Sequence, residues 1–263
     1  MKSLFSTGAG LSSLKVCIAI EWKRYTGYSY LFDNPGNCLV SNDAKRLSND
    51  DSVAIYNWLW AGMERIGGDE LISRHLLFPL PRNTYHVTVW DGINIENIEN
   101  IVEPYKTELE EFFSGLPSSI GGKWPGASPS CQFEEHVGAA FTIKFRLRPR
   151  PLYLRGKTVL AADLEPCEGK SRALYRTINK ARNDLDEQFL ERYGKPKNAG
   201  FVPYVALGYF ADPEIAESAW GARREEWGNI FSDVGEQEIE FRSIGLYAFT
   251  DMVSYYRDRA IEE

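Results

Sequence analysis

The stretch Thr84-Tyr85-His86-Val87-Thr88-Val89-Trp90 constrains this chain more than any other. Its β-branched and aromatic residues alternate with polar ones at a period of two, which predicts a half-buried strand. Residues two apart on a pleated strand point to one face, so His86 and Thr88 stand side by side. An imidazole that can carry a proton, next to a hydroxyl that can hold an oxygen, is half of a site for an anionic substrate. The plain alternative is a satisfied histidine on a sheet, and His-x-Thr taken alone favours that.

The flanking sequence predicts further elements. Residues 14–21 read as a short strand and 25–32 as an aromatic-rich segment, followed by a turn at Asn34-Pro35-Gly36-Asn37. Asp50-Asp51-Ser52 offers caps for a helix running to Ile66. Its apolar positions Val53, Tyr56, Leu59, Trp60, Met63 and Ile66 follow three–four spacing, and Gly67-Gly68 ends it. Trp58 and Trp60 belong to the core rather than to a ligand platform. Residues 76–80 lead through Pro79 and Pro81 into the His86 strand, which Asp91-Gly92 closes with a turn.

Residues 95–113 are acidic and helical in spacing, with Pro104 inside them. A Gly-, Ser- and Pro-rich stretch over 115–130 marks the boundary between two lobes. Beyond it come strands at 140–147 and 158–164, a long helix over 171–193 capped by Gly194, and a strand at 201–210. Asp212-Pro213 opens another helix, and 238–249 forms a final strand.

Composition narrows the function classes. A chain of 263 residues with net charge −7 has no broad attraction for nucleic acid or anionic membranes, which leaves a local basic groove as the alternative. No apolar run approaches the ~20 residues that span a bilayer, and the Ser/Gly-rich N-terminus does not read as a signal peptide. Cys17, Cys38, Cys131 and Cys167 lie far apart, without metal-knuckle spacing, and read as reduced thiols in a cytoplasmic protein. His75, His86 and His136 are not spaced as metal ligands, so neither metal nor cofactor is expected.

The second half carries a counterpart of the His86 strand: Pro203-Tyr204-Val205-Ala206-Leu207-Gly208-Tyr209. Aligning the two sets Tyr204 against His86 and Ala206 against Thr88. With the frame Phe201, Pro203, Leu207, Gly208 and Tyr209, and the tail Phe241-Arg242-Ser243-Ile244-Gly245-Leu246-Tyr247, the chain resembles the two-histidine (2H) phosphoesterases. These are the superfamily of 2′-5′ RNA ligase-like proteins and cyclic nucleotide phosphodiesterases. The resemblance covers roughly residues 75–257 and implies an α+β fold of two pseudo-symmetric lobes, each an antiparallel sheet backed by helices, around a central cleft. It makes 75–263 the bilobal domain and 1–74 an N-terminal extension packed on it.

In that family each lobe supplies a His-x-Thr/Ser, one histidine acting as base and the other as acid. Here the second motif is degenerate. A phenol near pKa 10 is protonated at pH 7 and makes a poor base, and Ala206 offers no hydroxyl. The resemblance therefore implies His86, Thr88 and Tyr204 as the catalytic positions, with a nucleotide or RNA phosphodiester as partner. Lys144 and Arg146, on one face of a strand, and Arg172 and Arg176, one helical turn apart, are candidates to hold phosphate. Tyr85, Tyr209 and Tyr247 are candidates to stack a base. His136 is a candidate stand-in for the missing histidine. Three functions follow: a binding protein with weak or lost hydrolysis, an active phosphodiesterase, or a non-enzymatic interaction module. A cleft of positive potential would favour the first two, a neutral or negative one the third.

Overall fold

The computed structural model describes residues 21–35, 39–40, 46–49, 51–120, 124–125, 141–232 and 237–257. The expected strand at 14–21, apart from Glu21, lies outside them, as do His136 and three of the cysteines (Cys17, Cys38 and Cys131).

The fold is α+β. Its strands are β1 (Gly27–Phe32), β2 (Leu39–Val40), β3 (Arg46–Leu47), β4 (Leu77–Pro79), β5 (Thr88–Asn94) and β6 (Ile143–Arg155). They continue with β7 (Val159–Pro166), β8 (Tyr204–Phe210), β9 (Glu238–Phe241), β10 (Ile244–Asp251) and β11 (Ser254–Arg257). The helices are α1 (Ala54–Ile66), α2 (Gly68–His75), α3 (Tyr105–Ser114), α4 (Lys170–Tyr193) and α5 (Pro213–Ile230). Among the described residues the strands form two sheets, in the orders β2-β3-β11-β10-β1-β5 and β4-β8-β7-β6-β9. All pairings are antiparallel.

The sheets do not divide the chain at 115–130. β4 joins the second sheet, and β10 and β11 return from the C-terminal part to the first. The single strand expected over 238–249 is therefore two. β9 pairs with β6 in one sheet, and β10 pairs with β1 in the other. From the stretch before residue 75, β1 lies between β10 and β5. Every residue of β1 is buried: Tyr28, Tyr30 and Phe32 face the main core, and Leu31 faces a second cluster with Tyr247, Phe249 and Tyr255. A strand covered on both faces loses polar alternation, which explains its aromatic run.

Local chemistry sets the ends of the elements. Asp212 caps α5, accepting from the N–H of Glu214 at 2.7 Å. The N-cap position of α1 falls on Val53, whose side chain cannot cap. Asp51 pairs with Arg82 instead, and its carbonyl accepts from Asn57 Nδ2 at 2.7 Å. Gly194, at φ 76°, ends α4 in the left-handed region.

Asp91-Gly92 is not a turn, since β5 runs through both to Asn94. At Gly92 an added Cβ would lie 2.1 Å from the Tyr28 carbonyl, so glycine lets β1 approach. The turn follows at Asn94, whose side-chain oxygen accepts from the N–H of Glu96 at 2.8 Å.

Candidate functional site

The two sheets meet at one isolated antiparallel bridge, between Val87 and Val205. Both valines are fully buried in the main core. Side chains alternate along a strand, so His86 and Thr88 on one segment, and Tyr204 and Ala206 on the other, project to the opposite face. With 87 opposite 205, the antiparallel register sets His86 against Ala206 and Thr88 against Tyr204. His86 and Tyr204 become diagonal neighbours, about 7–8 Å apart at Cα. All four residues line a single cleft of about 270 Å³.

His86 is half-buried. Its Nδ1 lies 2.8 Å from the Thr84 carbonyl, which can only accept, so Nδ1 carries the proton and Nε2 keeps its lone pair. The ring packs on Tyr255, with 4.4 Å between centroids. Burial lowers the imidazole to about 4, against the raising effect of the Thr84 hydrogen bond. At pH 7 this histidine is neutral. Tyr204 is pushed the other way: burial, then the Asp91 carboxylate, raise its phenol to about 12, while Arg155 opposes them. The Arg155 guanidinium lies over the Tyr204 ring, 4.1 Å from its centroid. Tyr204 is thus a hydrogen-bond donor beside a cation, with no capacity to act as a base near neutrality.

Sequence reasoning missed Asp91, Glu96, Ser29, Thr158, Tyr25 and Tyr255, which also line the cleft. Asp91 reaches it because the β1–β5 pairing is irregular, placing Thr88 opposite Leu31 and Asp91 opposite Ser29. A bulge shifts the parity of side chains along a strand, so strict alternation could not have found it. Asp91 is open to solvent in the cleft, but protein packed round its other sides raises its carboxyl, opposed by Arg182, Arg155 and Lys195. A buried network behind β5 holds it there. Asp186 Oδ1 accepts from Trp90 Nε1 at 2.8 Å and from Asn198 Nδ2 at 3.0 Å, and Asn198 also donates to the Asp91 carbonyl at 2.9 Å.

Of the expected ligand-holding residues, Tyr209 lines the cleft and the others do not. Tyr85 is fully buried, edge-on to Tyr56, and a base cannot reach it. Tyr247 is buried and donates to Asp33 at 2.6 Å. Lys144 and Arg146 share a strand face but are engaged with Glu238 at 3.3 Å and Glu165 at 2.8 Å. Arg172 pairs with Glu168 at 2.5 Å, and Arg176 is exposed on the same helix. The charged side chains that line the cleft, among the described residues, are Asp91 and Glu96. No described cluster of His, Cys, Asp or Glu is arranged to hold a metal ion, and no described helix is long and apolar enough to cross a membrane.

No family model matches the chain, and no curated protein sequence matches it. Among solved structures, a conserved protein of unknown function from Agrobacterium tumefaciens is similar over 90% of this chain and 86% of its own. It is 13% identical, with a TM-score of 0.49. Usb1 of Kluyveromyces marxianus, in a structure with uridine monophosphate, is 13% identical with a TM-score of 0.37, over 88% of this chain and 97% of Usb1. A second structure of that protein gives 14% and 0.37, over 89% and 98%. Likenesses this distant assign no function, so the chemistry of the cleft decides which ligand it suits.

Proposed function

We propose that the cleft binds a nucleotide or RNA phosphodiester in the manner of a 2H phosphoesterase whose second half-site has decayed, leaving hydrolysis weak or lost. The observation that carries this reading is the Val87–Val205 bridge, which sets His86-x-Thr88 and Tyr204-x-Ala206 on one cleft face. A phosphodiester carries a single charge. The Thr88, Tyr204, Ser29 and Thr158 hydroxyls can donate to its oxygens, and Arg155 strengthens the Tyr204 donor. Turnover is another matter. Effective acid–base catalysis wants groups titrating near the working pH, and this pair lies at about 4 and about 12.

One observation favours the interaction-module reading: the charged lining is acidic, which suits a neutral or cationic ligand better than phosphate. Calorimetric titration with mononucleotides and 2′,3′-cyclic nucleotides, beside a hydrolysis assay on the same preparation, separates the readings. Binding with little or no turnover is expected, and both should respond to Thr88→Ala. Absence of any nucleotide binding at millimolar concentration would remove the proposal and leave the module.

A further inference from the structure

The cleft is polarised along its length. At the motif end His86, Thr88, Tyr204 and Ala206 supply hydroxyls and a neutral imidazole. Along β5 and the turn after it stand Asp91 and Glu96, whose carboxylates only accept. Asp91 lies three residues beyond Thr88, roughly 10 Å along an extended strand. Aromatic side chains wall the space between. Phe249 and Tyr255 come from the first sheet, Tyr25 from the segment leading into β1, and Tyr204 and Tyr209 from the second sheet. Tyr25 stacks nearly parallel on Phe249 at 5.8 Å, and Trp22 meets Tyr209 edge-on at 6.0 Å. Glu96 Oε2 accepts from Tyr25 OH at 3.3 Å, so this carboxylate is tied to the aromatic wall and keeps further acceptor capacity.

A flat ring slid between such walls gains stacking energy whichever base it is. The carboxylates then discriminate. Guanine presents an imino and an amino donor side by side, a match for two carboxylate oxygens. Uracil presents one imino donor flanked by two carbonyls, whose lone pairs would be forced against the negative charge. We propose that Asp91 and Glu96 make this cleft a guanine-selective site, receiving the donor edge of the base while the phosphate lies toward His86 and Thr88. The acidic lining, awkward for phosphate alone, then has a role. This inference rests on the nucleotide-binding reading above.

The test is calorimetric titration of the whole chain with guanosine, adenosine, cytidine and uridine monophosphates, repeated on Glu96→Gln and on Asp91→Asn. Glu96 is exposed, so its variant is expected to fold, and melting curves check both. Guanosine monophosphate should bind at least about 10-fold more tightly than uridine monophosphate, the scale of one hydrogen bond to a charged group. Glu96→Gln should remove most of that preference by weakening guanosine monophosphate, with uridine monophosphate changed less than about threefold. Equal binding of the four nucleotides, or a Glu96→Gln effect uniform across them, overturns base selection and leaves nucleotide binding standing. Binding of none of the four overturns both.

Discussion

Val87 and Val205 face each other across the bridge that joins the two sheets, and neither exposes any surface. Their burial fixes the parity of both segments. With the valines turned into the core, the residues on either side of each have no choice but the cleft. Because the bridge is antiparallel, it relates the segments by a local twofold, so His86 corresponds to Tyr204 and Thr88 to Ala206. The two segments therefore differ in their side chains while sharing one backbone frame.

Thr88 is the cleanest probe of the intact half. It lines the cleft and is half-exposed, and no described residue engages its hydroxyl. Thr88→Ala should weaken nucleotide binding about 2- to 10-fold, one hydrogen bond of about 0.5–1.5 kcal/mol. Stability should stay within about 0.5 kcal/mol of wild type. Titration calorimetry and melting on the same sample read both, and a stability loss with unchanged affinity would place the hydroxyl in the packing instead.

His86 should leave a signature in the pH dependence of stability. Its folded value is about 4, against about 6.5 in an unfolded chain. Between these values the unfolded chain binds the proton and the folded one does not. The contribution is complete above 6.5 and is lost as pH falls toward 4, by at most about 3 kcal/mol at ~1.4 kcal/mol per unit. Urea midpoints at pH 7 and pH 4.5 should fall further apart for wild type than for His86→Gln. Identical differences would mean that the imidazole titrates as if in water.

Asp33 anchors the C-terminal strand. It accepts from Arg257 Nε and Nη2, both at 2.8 Å, from Tyr247 OH at 2.6 Å and from Ser243 Oγ at 2.7 Å, and it is 4% exposed. Gly245 makes room, because an added Cβ would lie 2.5 Å from Arg257 Nε and 2.9 Å from Asp33 Oδ1. Asp33→Ala takes the carboxylate away from a largely buried guanidinium and should cost up to about 3–5 kcal/mol, measured as a shift in denaturant midpoint. Gly245→Ala should destabilise in the same direction, and a neutral result there would mean that the pair can move aside.

What the sequence made legible is what periodicity encodes. The faces of His86 and Thr88, the span of α4 and the Asp212 cap all follow from spacing and cap chemistry within a few residues. Asp91 was not legible, because a bulge shifts the register and no local signal announces where two strands slip. The place of β1 between β10 and β5 was equally hidden, since strand order is a property of distant partners. Lys144, Arg146 and Arg172 looked free in sequence because the acids that engage Lys144 and Arg146 come from neighbouring strands, and spacing alone did not show Glu168 reaching Arg172.

Installing a second His-x-Thr at 204 and 206 tests the proposed half-site directly. Tyr204→His exchanges a phenol held at about 12 for an imidazole, and Ala206→Thr restores the hydroxyl. Both positions are half-buried and line the cleft, so the added threonine atoms have open space on one side, and overpacking should cost no more than ~1–3 kcal/mol. Arg155, which lies over the Tyr204 ring, would stand beside the new imidazole and disfavour its protonated form. Hydrolysis of a 2′,3′-cyclic nucleotide by the double variant should rise about 10²-fold, the lower end for one acid–base group. Adding Arg155→Gln should move the acidic limb of its pH profile upward, because the neighbouring charge is gone. Adding His86→Gln should abolish the gain, since the first half-site would then lack its imidazole. A folded double variant that binds nucleotide and shows no gain would mean the spacing across the Val87–Val205 bridge no longer suits transfer between two histidines, and the cleft would stand as a binding site alone.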